Sequence, residues 1–260
     1  MSIIEQSNSQ GKVRSRRLGL HALYALLFGL PLLGATIVVT HNVPVSMTDD
    51  DLKYIPQLFG NAGKSHLTRD SAIGKSLVEQ ASIVSDVQAA VLSTAQKTDP
   101  IDFDREREPK DLLELRHGLC FDRSRVIEKA LSYVGLRARH VAIYSLVKTK
   151  TAFQALLKPG NSSHAVTEVL TEKGWMVVDP DLPWIGLTAD LEAISIQTLH
   201  RKAFENKKPC HPLARSDLNS IFSSDFTYVN GLYSRHGRFY PPYNVIPDVN
   251  WMELMSNFYD

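Results

Sequence analysis

Arg116-His117-Gly118-Leu119-Cys120-Phe121-Asp122-Arg123-Ser124 opens a segment that runs to Gly135, and its reading decides the fold. From Leu119 to Val134 the spacing predicts a helix. Val126, Ile127, Ala130, Leu131 and Val134 recur at steps of three and four, and Gly135 stands where a left-handed cap belongs. Cys120 falls in the first turn, against unpaired backbone N–H groups and the positive end of the helix dipole, both of which favour thiolate. Cys120 and Ile127 are seven residues apart. At about 100° per residue they lie within roughly 20° of each other around the axis. The thiol therefore faces the body on which the helix packs.

Upstream, Asp111 to Leu115 leads into the cysteine turn, preceded by a charged connection from Ile101 to Lys110. Ser65 to Lys97 has a helical pattern carried by Ile73, Leu77, Ala81, Val84, Val87, Val91 and Leu92, with Gly74 as an interruption. Residues 41–64 read as a linker whose Asp49, Asp50 and Asp51 are solvated. Before it, Leu18 to Thr40 is a run of 23 residues without Asp, Glu, Lys or Arg. At 1.5 Å per residue that run spans a bilayer core of about 30 Å. Residues 1–17 carry Lys12, Arg14, Arg16 and Arg17 against Glu5 alone. The positive flank stays in the cytoplasm and sends Asn42 onward to the other side. The expectation is an uncleaved single-pass anchor in the inner membrane, with the rest of the chain periplasmic or extracytoplasmic.

Downstream, Arg137 to Val147 reads as a strand and Lys148 to Ser163 as a loop. His164 to Leu170 and Trp175 to Asp179 form a hairpin across Thr171-Glu172-Lys173-Gly174. A two-residue loop pairs Thr171 with Gly174, and a four-residue loop pairs Leu170 with Trp175. Either places Val166 opposite Asp179 and His164 opposite Asp181. His164 and Asp179 are then diagonal neighbours on one face, roughly 5–8 Å apart at Cβ. Asp181 is the competing carboxylate, but Pro180 frays the ladder and is expected to turn Asp181 toward solvent or a loop N–H.

A thiol at a helix start, an imidazole opening a strand and a carboxylate on the next strand are the parts of a nucleophilic triad. The chain resembles the transglutaminase-like superfamily, of papain-related fold. The resemblance rests on Gly118-Leu119-Cys120, on Gly135-Leu136-Arg137-Ala138-Arg139, on Ser163-His164-Ala165-Val166-Thr167-Glu168-Val169 and on Gly174-Trp175-Met176-Val177-Val178-Asp179-Pro180. It covers about Asp111 to Trp184 and implies an α+β core, a cysteine helix on an antiparallel sheet, which is placed here over residues 65–187, after the transmembrane helix read from the uncharged run. It also implies that Cys120 is the nucleophile, His164 the base and Asp179 the orienting carboxylate. Leu136-Arg137 and Val166 depart from the family pattern without touching these three.

Residues 188–260 form a C-terminal extension packed on the core. Leu187 to Glu205 looks helical. The stretch Tyr233 to Tyr243 combines rings, cations and turn formers that either wrap the core or rim a cleft, so Arg235, His236, Tyr240 and Trp184 are candidate substrate contacts. Formal net charge is +1 and no basic block appears beyond the N-terminus, which gives no sign of a nucleic-acid partner. The histidine spacing suggests no metal site, and no cofactor is expected. Two cysteines, Cys120 and Cys210, are too few for a disulfide framework. Two functions fit. One is a membrane-anchored thiol enzyme cleaving or transferring an acyl group from a peptide, protein or other amide. The other is a non-catalytic scaffold that keeps the fold and holds a protein partner at the membrane, as in cell-surface polymer export.

Overall fold

The computed structural model describes residues 30–200, 218–243 and 247–259, with side chains from residue 34 onward. It divides into two units, residues 1–42 and 43–260. Of the first, the described part is helix α1 (Leu30–Thr40). No helix among the described residues is long and apolar enough to cross a membrane. Most of the expected span, residues 18–29, lies outside the described residues.

The second unit begins where a linker was expected, but that stretch contains helix α2 (Asp49–Asn61). Thr48 accepts the Asp51 N–H and Asp51 accepts the Thr48 N–H, a capping box that satisfies two orphan donors. Ile55, Leu58 and Phe59 are fully buried, and so is Asp51, which pairs with Lys129 at 2.7 Å rather than facing water. Helix α3 (Leu77–Thr94) is shorter than the spacing suggested. Gly74 adopts φ +70°, and Ser76 caps the helix through Glu79. Helix α4 (Pro109–Leu115) ends at Arg116 in the left-handed region. Helix α5 (Cys120–Tyr133) is the predicted cysteine helix, and Gly135 follows it at φ +91°.

Strand β1 (Ala138–Ser145) is buried along its whole length. A short helix, α6 (Ala152–Leu157), fills the expected loop before β2 (Ser163–Thr171) and β3 (Gly174–Val178). The hairpin closes with Thr171 on Gly174 and Leu170 on Trp175, the register required by the spacing, and Gly174 takes φ +100°. After β3, the expected helix from Leu187 is confined among the described residues to α7 (Ile196–His200). A 3-10 turn (Ser220–Ser223) leads to β4 (Phe226–Asn230), then β5 (Leu232–Tyr233), β6 (Asp248–Val249) and α8 (Trp251–Ser256).

The main sheet has order β3-β2-β1-β4 and all its pairings are antiparallel. The C-terminal extension is therefore built into the core, because β4 supplies an edge strand. Helix α5 packs on one face of the sheet, where Ala130, Leu131 and Val134 join Val169, Met176 and Val178 in one apolar cluster with α2 and α3. The other face buries Val141, Ile143, Val166 and Val177 under Trp184, Ile196, Leu199 and Phe222. A buried polar stitch joins α5 to the sheet: Ser124 Oγ lies 2.9 Å from Thr167 Oγ1 and 3.2 Å from His140 Nδ1.

Candidate active site

Cys120 is the first residue of α5, and its cap residue Leu119 has no side-chain acceptor to offer the first turn. Asp122 closes that turn instead, its Oδ2 accepting the N–H of Leu119 at 2.9 Å and of Ile101 at 3.2 Å. Burial lifts the Asp122 carboxyl to about 6, against the pull of Arg107 3.3 Å away. The half-exposed thiol opens onto a cleft of about 450 Å³ lined by Leu119, His164, Asp181, Asn219 and Lys97 among others.

His164 enters from the start of β2 and is buried. Its Nε2 lies 3.5 Å from Asp179 Oδ2. That oxygen is buried and has no conventional hydrogen bond, so the imidazole is its polar neighbour. The other oxygen, Oδ1, accepts the N–H of Asp181 at 2.7 Å and of Leu182 at 3.2 Å, which locks the carboxylate in a tight turn. Gln88 of α3 donates from below to the carbonyls of Asp179 and Trp184, each at 2.7 Å. Burial disfavours a charged imidazole, yet Asp179 and then Cys120 outweigh it and hold the His164 pKa up to about 10. The other buried histidine of the sheet shows the contrast. His140 lacks a carboxylate partner on its ring, and burial, reinforced by Arg125, pushes it down to about 3.

The sheet thus brings Cys120, His164 and Asp179 together, with the hairpin as the device that aligns the last two. Asp181 departs from expectation. Its side chain is covered rather than turned to solvent or a loop N–H, pairs with Arg123 and Lys97, and sits 4.0 Å from His164 Nδ1. The ring therefore lies between two carboxylates. The β2–β3 ladder already ends at Val178, ahead of Pro180, and Arg123, one turn beyond Cys120 on α5, captures Asp181.

The other candidate contacts stand apart from the cleft lining. Trp184 is buried against Phe222, itself edge-on to His164. Arg235 pairs with Glu106, and His236 holds Asp248 at 3.0 Å. Tyr240 packs on Phe121 and Phe239. These side chains fasten the extension to the core. Cys210 lies outside the described residues. No cluster of acidic, histidine or cysteine side chains suited to a metal occurs among the described residues.

Three cleft or support residues escaped the sequence reading. Gln88 left a trace, as the one amide on an apolar helix face between Val84, Val87 and Val91. Lys97 and Asn219 left none. Asn219 places its amide nitrogen 3.3 Å from His164 Nε2. It can donate there only to an unprotonated ring, so it opposes Asp179 at the same atom.

The core around this site is one of mixed helix and antiparallel sheet. Residues 72–180 match the family model Transglut_core, the transglutaminase-like superfamily. No curated protein matches the sequence. Among solved structures, the chain is similar to a Cytophaga hutchinsonii protein proposed to be a cysteine protease. Identity is 15% and the TM-score 0.31, over 54% of this chain and 45% of that one. It is also similar to EGTA-treated LapG of Legionella pneumophila, with 19% identity and a TM-score of 0.36, over 65% of this chain and 80% of that one. The chain thus spans less than half of the first of these. Scores this low bear on neither activity nor substrate.

Proposed function

We propose that the protein is a cysteine-dependent hydrolase or acyltransferase acting on peptide or protein amides, tethered by residues 18–40 with its core on the extracytoplasmic side. The observation that carries the chemistry is the imidazole whose Nε2 lies 3.5 Å from Asp179 Oδ2 and which lines one cleft with the thiol of Cys120. A ring kept protonated to about 10 is the partner a thiolate needs at neutral pH. The thiolate attacks the amide carbonyl. The backbone N–H of Cys120 at the helix start and the Lys97 ammonium, paired with Asp181 on the cleft wall, are the donors available to the oxyanion that forms. The imidazolium then gives its proton to the departing amine. An acyl-enzyme remains, which water hydrolyses or a second amine takes over. The basic flank and uncharged run support the tether.

Labelling of membrane fractions with an iodoacetamide probe tests the reading. Cys120 should react faster than Cys210 near neutral pH, and His164→Ala should abolish the difference. Equal reactivity of the two thiols in the native protein would refute it. Incorporation of a fluorescent primary amine into a glutamine-bearing protein would then separate transfer from hydrolysis.

A further inference from the structure

The uncharged run ends at Thr40, three residues before the second unit begins at Val43. Three residues of chain reach at most about 10 Å. The N–H of Val43 donates to the carbonyl of Val249 at 3.0 Å, and α8 starts two residues later at Trp251. The chain therefore enters its folded core beside α8.

What α8 presents there is apolar and uncovered. Met252 is 82% exposed and Met255 46%, and in the turn that follows Phe258 is 76% and Tyr259 81% exposed. Met252 and Met255 share one helical face, and Val45, 44% exposed, lines a common cleft with Met252. On that cleft the exposed Arg137 lies over the half-buried Trp175 ring, 5.6 Å from its centre. Methionines and aromatic rings with a guanidinium beside an indole suit a phospholipid headgroup region.

Position within the fold adds a direction. The α8 cleft is lined by Ser132, Ala138 and Leu170, the far ends of α5, β1 and β2. The catalytic cleft is lined by Cys120, Ser145 and Ser163, the opposite ends of the same three elements. At 3.3 Å per strand residue and 1.5 Å per helix residue, the two ends are about 20 Å apart.

We propose that α8 and the turn after it, with Val45 beside them, rest in the headgroup layer of the membrane that holds the chain, so that the catalytic cleft faces away from the bilayer. The inference rests on the tether reading above.

The test uses the full chain with Cys120→Ser and Cys210→Ser in vesicles of phosphatidylethanolamine and phosphatidylglycerol. One environment-sensitive fluorophore is attached at Met255→Cys or Met252→Cys, and at Phe153→Cys as a control, on α6 near the catalytic end. Lipids brominated in the upper acyl chain should remove about half of the emission at 252 and 255, at the 5–10 Å depth of an interfacial helix. The probe at 153 should keep its emission. Unquenched probes at 252 and 255 on a chain that resists carbonate extraction would overturn this proposal and leave the tether standing. Equal quenching at 153 would overturn the orientation. A chain that carbonate releases would overturn the tether itself, and this proposal with it.

Discussion

Asp179→Asn keeps the shape of the side chain that faces His164 and removes its charge. In the native site burial disfavours the imidazolium, while Asp179 first and Cys120 second lift the ring from 6.5 to about 10. A difference of that size is a preference of about 5 kcal/mol for the charged ring. An opposite charge within 4–6 Å contributes about one to three pH units of such a rise. Asp179, at 3.5 Å, leads the groups that raise it. In Asp179→Asn the ring should therefore lose its proton at about pH 7–9. The assay is the alkylation rate of Cys120 by iodoacetamide against pH. When the imidazolium loses its proton, the thiolate loses its counter-charge and becomes a stronger nucleophile. The native protein should show an upward step near pH 10, Asp179→Asn the same step one to three units lower, and His164→Ala no such step. Stability carries the same signature. The unfolded chain releases this proton at about 6.5 and the folded chain at about 10, so the stabilisation is complete below 6.5 and lost as pH rises through that window. An unmoved step in Asp179→Asn would show that Asp179 does not govern the ring.

Lys129→Met strands the Asp51 carboxylate, whose side chain is 1% exposed, and should cost about 3–5 kcal/mol in urea unfolding; adding Asp51→Leu should recover part of it. Gly135→Ala forces a side chain into φ +91°, with its Cβ 2.7 Å from Ile73 Cγ1. Thermal melting should register a loss of about 1–2 kcal/mol, without change in Cys120 alkylation. Lys97→Met should slow acylation of Cys120 by 4-nitrophenyl acetate about tenfold or more while leaving iodoacetamide alkylation nearly unaltered, because only acylation develops an oxyanion.

The parts legible in the sequence were those fixed by near neighbours. Helix α5 announced itself through its apolar spacing and Gly135. The hairpin register followed from a four-residue turn, and the His164–Asp179 juxtaposition came with it. Partners set by distant segments were not legible. Asp51 looked solvated because Lys129 lies far along the chain. Arg125, Glu128 and Lys129 look like a solvated helix face, yet all are buried, covered by α2, α8 and Tyr233. Nothing local in Phe226–Asn230 names β1 as its partner. The Tyr233–Tyr243 stretch was ambiguous for the same reason, since rings and cations that anchor a tail look like those that meet a substrate. Asp181 was misjudged because the proline argument covers the backbone ladder and says nothing of Arg123.

The covered face of α5 also has a mechanical meaning. Arg125 donates to the carbonyl of Pro44, and Lys129 to that of Ser46 and to Asp51. Val43 is tied across to Val249, and Tyr233 joins Glu128 on α5 to Glu253 on α8. Tension on the chain ahead of Val43 would thus fall first on hydrogen bonds to the helix that carries Cys120, and on the strand that closes the extension against it. The load path ends at the helix of Cys120, so a pull strong enough to peel off residues 43–51 would strip Lys129 of Ser46 and Asp51, and Arg125 of the Pro44 carbonyl but not of Glu108 and Glu128, before it reached the sheet.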